Sequence, residues 1–129
     1  MLKLRVTNET DRLKAVILGT AVSNGATPTL EEAYDPKSAE HIKAGTYPIE
    51  KDMVAEMDAF AAVLQKYGVQ VYRPEIIRDC NQIFTRDIGF VIDDVFIKAN
   101  ILPDRQAEFQ AIEYIVKQMN PDKVVTPPE

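Results

Sequence analysis

The spacing of apolar residues predicts two helices and five short strands along this chain. Between residues 48 and 67, apolar side chains recur every three or four positions, which predicts an amphipathic helix closed by Gly68. A second stripe of this kind predicts a helix over residues 104–119, ended by Asn120-Pro121. Short apolar or alternating runs predict strands at residues 13–18, 69–73, 88–92, 95–98 and 123–126.

A long connection separates the first strand from the first helix. Residues 20–47 contain several turn-forming pairs, among them Asn24-Gly25 and Asp35-Pro36. We therefore predict an irregular segment with one short helical turn near residues 29–34. Loops of this length in compact domains are often functional.

The alternation of strands and helices predicts an α/β fold, and the composition agrees with a soluble domain. The chain has 129 residues, of which 46% are hydrophobic, and a net charge of −5. Its basic residues are scattered, which argues against nucleic acid as a partner. No apolar run is long enough to cross a membrane, so the default location is the cytoplasm.

The cysteine and histidine content excludes some kinds of site. Cys80 is the single cysteine and His41 the single histidine, so neither an internal disulfide nor a Cys/His zinc site is expected. A catalytic triad of Cys80, His41 and Asp87 is rejected, since a lone cysteine is usually a small buried residue. We predict no metal.

The candidate chemistry lies where Arg86-Asp87 leads from a polar turn into the apolar strand predicted at residues 88–92. A carboxylate can accept two parallel N–H bonds from a planar guanidinium, so Asp87 is a candidate guanidinium ligand. The alternative is a structural ion pair with Arg86, or a turn cap. Because adjacent strand residues point to opposite faces, Arg86 is assigned to positioning or to a scaffold ion pair.

Residues 81–87, Asn-Gln-Ile-Phe-Thr-Arg-Asp, resemble the Asn-x-x-Phe-Thr-Arg-Asp motif of arginine deiminases and amidinotransferases. These enzymes belong to the pentein superfamily of five-bladed α/β-propellers. The resemblance implies that residues 1–129 form the N-terminal portion of a single propeller domain, with about two ββαβ blades of five. The expected partner is therefore the remainder of the propeller, in the same or another chain.

The resemblance also implies a chemistry and further site residues. The Asp of the motif, here Asp87, holds the substrate guanidinium while a cysteine attacks its central carbon. A histidine and a second carboxylate complete that site, and no cofactor is used. Asn81 either contacts the amino-acid end of the substrate or is an ordinary turn residue. Arg105 lies near a basic position that deiminases use for the substrate carboxylate, but Ala107 stands where a second arginine is expected.

Three hypotheses follow. The first is the substrate-binding N-terminal part of an amidinotransferase or guanidino hydrolase, inactive alone because the cysteine, histidine and second carboxylate are expected beyond residue 129. The second is a non-catalytic binding module or truncated relative that assembles with another chain, or with itself through open sheet edges. The third is a plain α/β domain in which Arg86-Asp87 is only an ion pair.

Overall fold

The computed structural model describes residues 1–33 and 35–128 and shows a mixed α/β fold with two small sheets. The helices are α1 (Pro36–Ala44), α2 (Glu50–Lys66), α3 (Gln106–Gln110) and α4 (Glu113–Val116). The strands are β1 (Ala15–Ile17), β2 (Gln70–Tyr72), β3 (Gly89–Ile92), β4 (Val95–Lys98) and β5 (Val124–Val125). Short 3-10 helices occupy Leu30–Glu32, Thr85–Asp87, Pro103–Arg105 and Pro121–Lys123. The predicted α/β class is confirmed.

The first sheet pairs β1 with β2 in parallel, so that Val16 lies beside Val71. Parallel strands need a crossover connection, and α1 and α2 lie in the segment that provides it. Among the described residues, no helix is both long and apolar enough to cross a lipid bilayer.

Helix α2 forms where the apolar spacing predicts it. Glu50 lies in its first turn and Lys66 in its last, which suits the helix dipole, and Gly68 follows in the left-handed conformation at φ 78°. Its apolar face is poorly covered, however. Phe60 is 52% and Val63 53% exposed in the described structure.

The second sheet has the order β3-β4-β5, with β3 and β4 antiparallel and β5 parallel to β4. The strand-strand-helix-strand order predicted for residues 88–126 is therefore confirmed. The turn between β3 and β4 places Asp93 in the left-handed region at φ 53°. In the described part of the chain, the first half contributes only β1 and β2 as named strands. The number of propeller blades stays a prediction.

Strand β3 is covered on one face only, although the continuous apolar run at residues 88–92 is typical of a buried strand. Val91 packs against the core, whereas Phe90 and Ile92 are 47% and 53% exposed. β3 is also an edge strand of its sheet. Alternate side chains of a strand point to opposite faces, and the described residues pack against one of them.

The core lies between the second sheet and the region of α3 and α4. Its buried members are Ile88, Phe96, Phe109, Ile112, Ile115 and Met119. The single helix predicted over residues 104–119 is wrong, because α3 and α4 are separated by a tighter turn. There the Ile112 amide donates to Phe109 O, and the Ile115 amide donates to Ile112 O. Bonds of this i to i+3 type bring Phe109, Ile112 and Ile115 to one side, so the buried face is as predicted.

The sequence analysis missed α1, which lies inside the predicted irregular connection. Asp35 caps this helix by accepting a hydrogen bond from the Ser38 amide at 2.9 Å, Pro36 opens it, and Gly45 ends it at φ 69°. No residue of α1 is buried, so it lacks the apolar stripe that identifies α2. The predicted turn near residues 29–34 is the 3-10 helix Leu30–Glu32, and Tyr34 lies outside the described residues.

The cap of α1 predicts a pH-dependent local stability. Hydrogen bonds from the side chain and then the backbone of Ser38 lower the pKa of Asp35. Because the folded pKa lies below the unfolded one, the stabilisation is present above the unfolded pKa and is lost as pH falls through the folded pKa. We expect Asp35→Ala to fray α1 at neutral pH without unfolding the rest, measured as faster amide hydrogen exchange confined to α1. Unchanged exchange in the variant would contradict this assignment.

Candidate functional site

Residues 81–87, the motif segment, are anchored against the end of β1. The Thr20 amide donates to Gln82 O at 3.0 Å, and the two residues form an isolated antiparallel bridge. Gly19 allows the close approach, since a Cβ atom there would lie 2.0 Å from Ile83 O. The backbone of the motif segment therefore rests directly on the backbone that follows β1.

The side chain of Gln82 holds the motif segment from the other side. It is only 2% exposed. Its Oε1 accepts from the Ile77 amide at 2.9 Å, and its Nε2 donates to Glu75 O at 2.8 Å. A buried amide with both ends paired fixes the local backbone. The sequence analysis missed this role, because the partners are backbone groups that a residue pattern does not reveal.

Thr85 and Asp87 lie in the 3-10 helix that leads into β3. The Thr85 hydroxyl donates to the carbonyl of Ile17, the last residue of β1, at 2.9 Å. The argument that Arg86 and Asp87 must face opposite ways assumed strand geometry and does not apply to this turn. Arg86 Nε lies 3.7 Å from Asp87 Oδ1, and the Arg86 side chain is 83% exposed.

The bond from Thr85 predicts a measurable loss of stability in Thr85→Val. Valine has the same shape but leaves the Ile17 carbonyl without this partner, so we expect a loss of about 1 kcal/mol in unfolding free energy. Thr46→Val is the control, because Thr46 is exposed and is expected to change stability by less than about 0.5 kcal/mol. Urea unfolding of the natural protein measures both, and equal effects would contradict the anchoring role.

Asp87 is held by a basic residue distant in sequence. Arg105 Nη1 donates to Asp87 Oδ2 at 3.1 Å, and Arg105 Nη2 lies 3.4 Å from the carbonyl oxygen of Phe84. The Asp87 side chain remains 44% exposed, whereas that of Arg105 is 27% exposed. One carboxylate oxygen is thus fixed by Arg105, and the other, Oδ1, has only the distant and exposed Arg86 beside it.

A second carboxylate, Glu108, was missed by the sequence analysis. Its side chain is 6% exposed and pairs with Arg105 in a two-bond fork, with Nε to Oε2 at 2.6 Å and Nη2 to Oε1 at 3.0 Å. The hydrogen bonds that Arg105 donates to Glu108, and then the one that it donates to Asp87, raise the pKa of Arg105. The i to i+3 spacing of Arg105 and Glu108 on the helical segment was the available signal.

These three side chains form an electrostatic unit that we call the carboxylate cluster: Asp87, Arg105 and Glu108. Two carboxylates against the Arg105 guanidinium leave a net charge of −1 within these three side chains, and the exposed guanidinium of Arg86 lies 3.7 Å from Asp87 Oδ1 at their edge. The excess negative charge lies nearest to solvent at Asp87, the more exposed of the two acids. A single planar cation is the complementary ligand for such a site.

Asn81 lies at the start of the motif segment, and its Oδ1 accepts from the Ile83 amide at 3.2 Å. This contact is that of a turn residue. It leaves the amide NH₂ group of Asn81 available, so a substrate contact stays a prediction.

A cavity of about 610 Å³ lies beside the cluster. Thr85 and Arg86 border it, together with the N-terminal segment and core residues such as Phe96, whereas Asp87 and Arg105 do not. Its walls are mainly apolar. Such walls do not suit a guanidinium, because an apolar surface offers its N–H groups no acceptors.

Two solved amidinotransferase structures share this arrangement of elements. The inosamine-phosphate amidinotransferase StrB1 from Streptomyces griseus matches 99% of this chain with a TM-score of 0.71 and 24% sequence identity. The chain has an amidinotransferase fold. SxtG, an amidinotransferase from Microseira wollei in the saxitoxin biosynthetic pathway, matches 97% of the chain with a TM-score of 0.67 and 22% identity. No protein-family model and no curated protein sequence matches it.

This chain, which has the amidinotransferase fold, spans less than half the length of these solved proteins. It corresponds to 44% of the chain of StrB1 and 42% of the chain of SxtG. The shared fold therefore covers a part of each of those proteins.

Within the amidinotransferase-fold chain, Cys80 and His41 are not brought together as a nucleophile and its base. Burial raises the pKa of the Cys80 thiol, and the charge of Glu108 raises it further, which disfavours the reactive thiolate. His41 Nδ1 lies 2.8 Å from Thr46 Oγ1 in an exposed contact. In residues 1–33 and 35–128, no group of three or more His, Cys, Asp or Glu side chains is arranged to hold a metal ion.

Proposed function

We propose that this chain is the guanidinium-binding, N-terminal part of an enzyme that modifies guanidino groups, either an amidinotransferase or a guanidino hydrolase. The observation that carries the proposal is the geometry of Asp87. Its carboxylate accepts a hydrogen bond from a guanidinium, that of Arg105, and keeps its second oxygen accessible in a cluster with a net charge of −1. The amidinotransferase fold and the motif at residues 81–87 support the same assignment.

In the proposed reaction, Asp87 binds the substrate guanidinium by charge-assisted N–H bonds and orients its plane. A cysteine thiolate contributed from outside these residues attacks the central guanidino carbon. The amine leaves with a proton supplied by a histidine, and the amidino group stays on sulfur. Attack by an amine then transfers the amidino group and frees the thiol. In a hydrolase, ammonia leaves in place of the substituted amine, and attack by water on the substituted amidino group gives the ureido product and frees the thiol. A second carboxylate completes the site, and no cofactor takes part.

Two further residues have proposed roles beside Asp87. Asn81 contacts the amino-acid end of the substrate through its amide NH₂ group, while its Oδ1 keeps the turn with Ile83. Arg86 is a positioning residue at the exposed edge of Asp87.

The surroundings of the site fit a larger assembly. Phe60 and Val63 on α2 and Phe90 and Ile92 on β3 are large apolar side chains exposed in the described structure. We propose that the remainder of a pentein propeller, in the same or another polypeptide, covers these faces. Alternatively, a second copy of the same chain covers these faces in a homo-oligomer. The proposed location is the cytoplasm.

The proposal is tested by product analysis with the natural full-length protein. We expect a guanidino substrate to yield either a ureido product in water alone or a new guanidino compound when an amine acceptor is added. Intact-mass measurement of the protein during turnover should show an added amidino group on one cysteine other than Cys80. Absence of both products and of any adduct would overturn the proposal.

The second candidate function is a guanidino-binding module without catalysis. The raised pKa of Cys80 favours it for these residues taken alone, because this thiol is a poor nucleophile. Saturable binding of a guanidino ligand by the natural protein, without product or adduct, would establish this alternative.

A further inference from the structure

Glu108 is a buried acid that pairs with Arg105, the residue that in turn holds Asp87. Its side chain is 6% exposed, and its hydrogen-bonded partner in the described structure is Arg105. The fork uses both Glu108 oxygens and two different nitrogen atoms of the guanidinium. This two-point contact fixes the position of the Arg105 guanidinium and the direction of its plane.

The remaining donors of Arg105 are directed at the motif segment. Nη1 donates to Asp87 Oδ2 at 3.1 Å, and Nη2, already bound to Glu108, also lies 3.4 Å from Phe84 O. Each nitrogen of the guanidinium thus has an acceptor in the protein. These contacts use four of the five N–H groups of Arg105 and leave one on Nη1, so the contact with a substrate carboxylate that the resemblance suggested for Arg105 stays a prediction.

We infer that Glu108 is a positioning residue, which acts through Arg105 to hold the Asp87 carboxylate with its Oδ1 edge presented to a cationic ligand. The inference rests on the proposed function, because it assigns Glu108 to the same guanidinium site. Arg105 then has two roles, since it pairs with Glu108 and also orients the Asp87 carboxylate. The Arg105 guanidinium occupies Oδ2 of Asp87, and among the described residues Oδ1 faces only the solvent-exposed Arg86 at 3.7 Å, which a substrate guanidinium would displace.

The charge balance explains why the acid at position 108 matters. With Glu108 ionised, Arg105 is already neutralised by a buried partner, and the charge of Asp87 is opposed only by the solvent-screened Arg86 at 3.7 Å. Without that charge, Asp87 becomes the counter-ion of Arg105, and a substrate guanidinium has to compete with it. Loss of the negative charge of Glu108 therefore weakens substrate binding, although Glu108 itself does not contact the substrate.

The test compares Glu108→Gln, Arg105→Lys and the control Glu113→Gln in the natural full-length protein. Glu113 lies on the same helical region, but it is exposed and its partner Lys117 is 4.0 Å away. We expect Glu108→Gln to raise the KM for a guanidino substrate about tenfold, the effect of losing one charge-assisted hydrogen bond, with kcat within about threefold. Arg105→Lys keeps the charge but removes the fork, and it should raise KM similarly even if Glu108→Gln fails to fold. Glu113→Gln should match the wild type.

The outcomes separate this inference from the proposed function. If Asp87→Asn abolishes turnover while folded Arg105→Lys and Glu108→Gln keep the wild-type KM, Glu108 is purely structural and the inference alone is overturned. A lower melting temperature with unchanged KM leads to the same conclusion. If the wild-type protein neither binds nor converts guanidino compounds, the proposed function fails and the inference fails with it.

Discussion

Replacing Asp87 with asparagine in the natural full-length protein is expected to lower kcat/KM for a guanidino substrate by about a hundredfold to ten-thousandfold. The substitution preserves shape but removes the negative charge, and it brings an NH₂ donor to face the donors of the guanidinium. The bond from the substrate to Oδ1 and the bond from Arg105 that holds the carboxylate, at about 1.5 to 3 kcal/mol each, correspond to a loss of this size. Steady-state kinetics measures it directly.

The control for Asp87→Asn is the same substitution at Asp94. That carboxylate also pairs with a base, Lys123 at 2.8 Å, but it lies in the turn between β3 and β4 and is 57% exposed. We expect Asp94→Asn to retain wild-type kinetics. If Asp87→Asn retains them too, Asp87 is a structural ion-pair residue and the assignment of the site is wrong.

Gly19→Ala is expected to produce the largest loss of stability among the substitutions considered. The new Cβ would lie 2.0 Å from Ile83 O and 2.5 Å from Gln82 O. Both neighbours are backbone atoms, so no rotamer change relieves the overlap, and the motif segment has to move away from β1. We expect a loss of about 3 kcal/mol or more in unfolding free energy, measured by urea unfolding.

Gly45→Ala separates this steric effect from the conformational one. Gly45 is in the left-handed region at φ 69°, but a Cβ there meets nothing within 4 Å. Its cost should be about 1 kcal/mol, from backbone conformation alone. If Gly19→Ala were as mild as Gly45→Ala, the close packing of the motif segment against β1 would be refuted.

The elements that the sequence predicted well are those whose apolar spacing and end signals agree. Helix α2 combines a stripe of apolar residues with acids at its start and Gly68 at its end, and it forms within two residues of the predicted bounds. Helix α1 has only the end signals, Asp35-Pro36 and Gly45, and no buried face. End signals of this kind predict a helix even where no stripe exists, and they were overlooked here.

The site was predictable to the extent that its residues belong to a contiguous pattern. The motif segment marked Asp87 because Asn81, Phe84 and Thr85 accompany it at fixed spacing. Glu108 and Gln82 lie outside the pattern that identifies Asp87, because their importance comes from their burial and from the hydrogen bonds that their side chains make in the folded structure. Tertiary packing decides which of the chain's 20 acidic residues is buried, and composition contains no information about it.

The central claim is that Asp87 and its cluster bind a guanidinium, and an NMR titration of the natural protein tests it most directly. The ligands are an arginine-like guanidino compound and the matching ureido compound, which is nearly isosteric but uncharged. We predict saturable shifts of the Asp87 carboxyl and Arg105 Nε–H resonances with the guanidino ligand and none with the ureido ligand. No saturable shift, or an equal response to both ligands, would contradict the account.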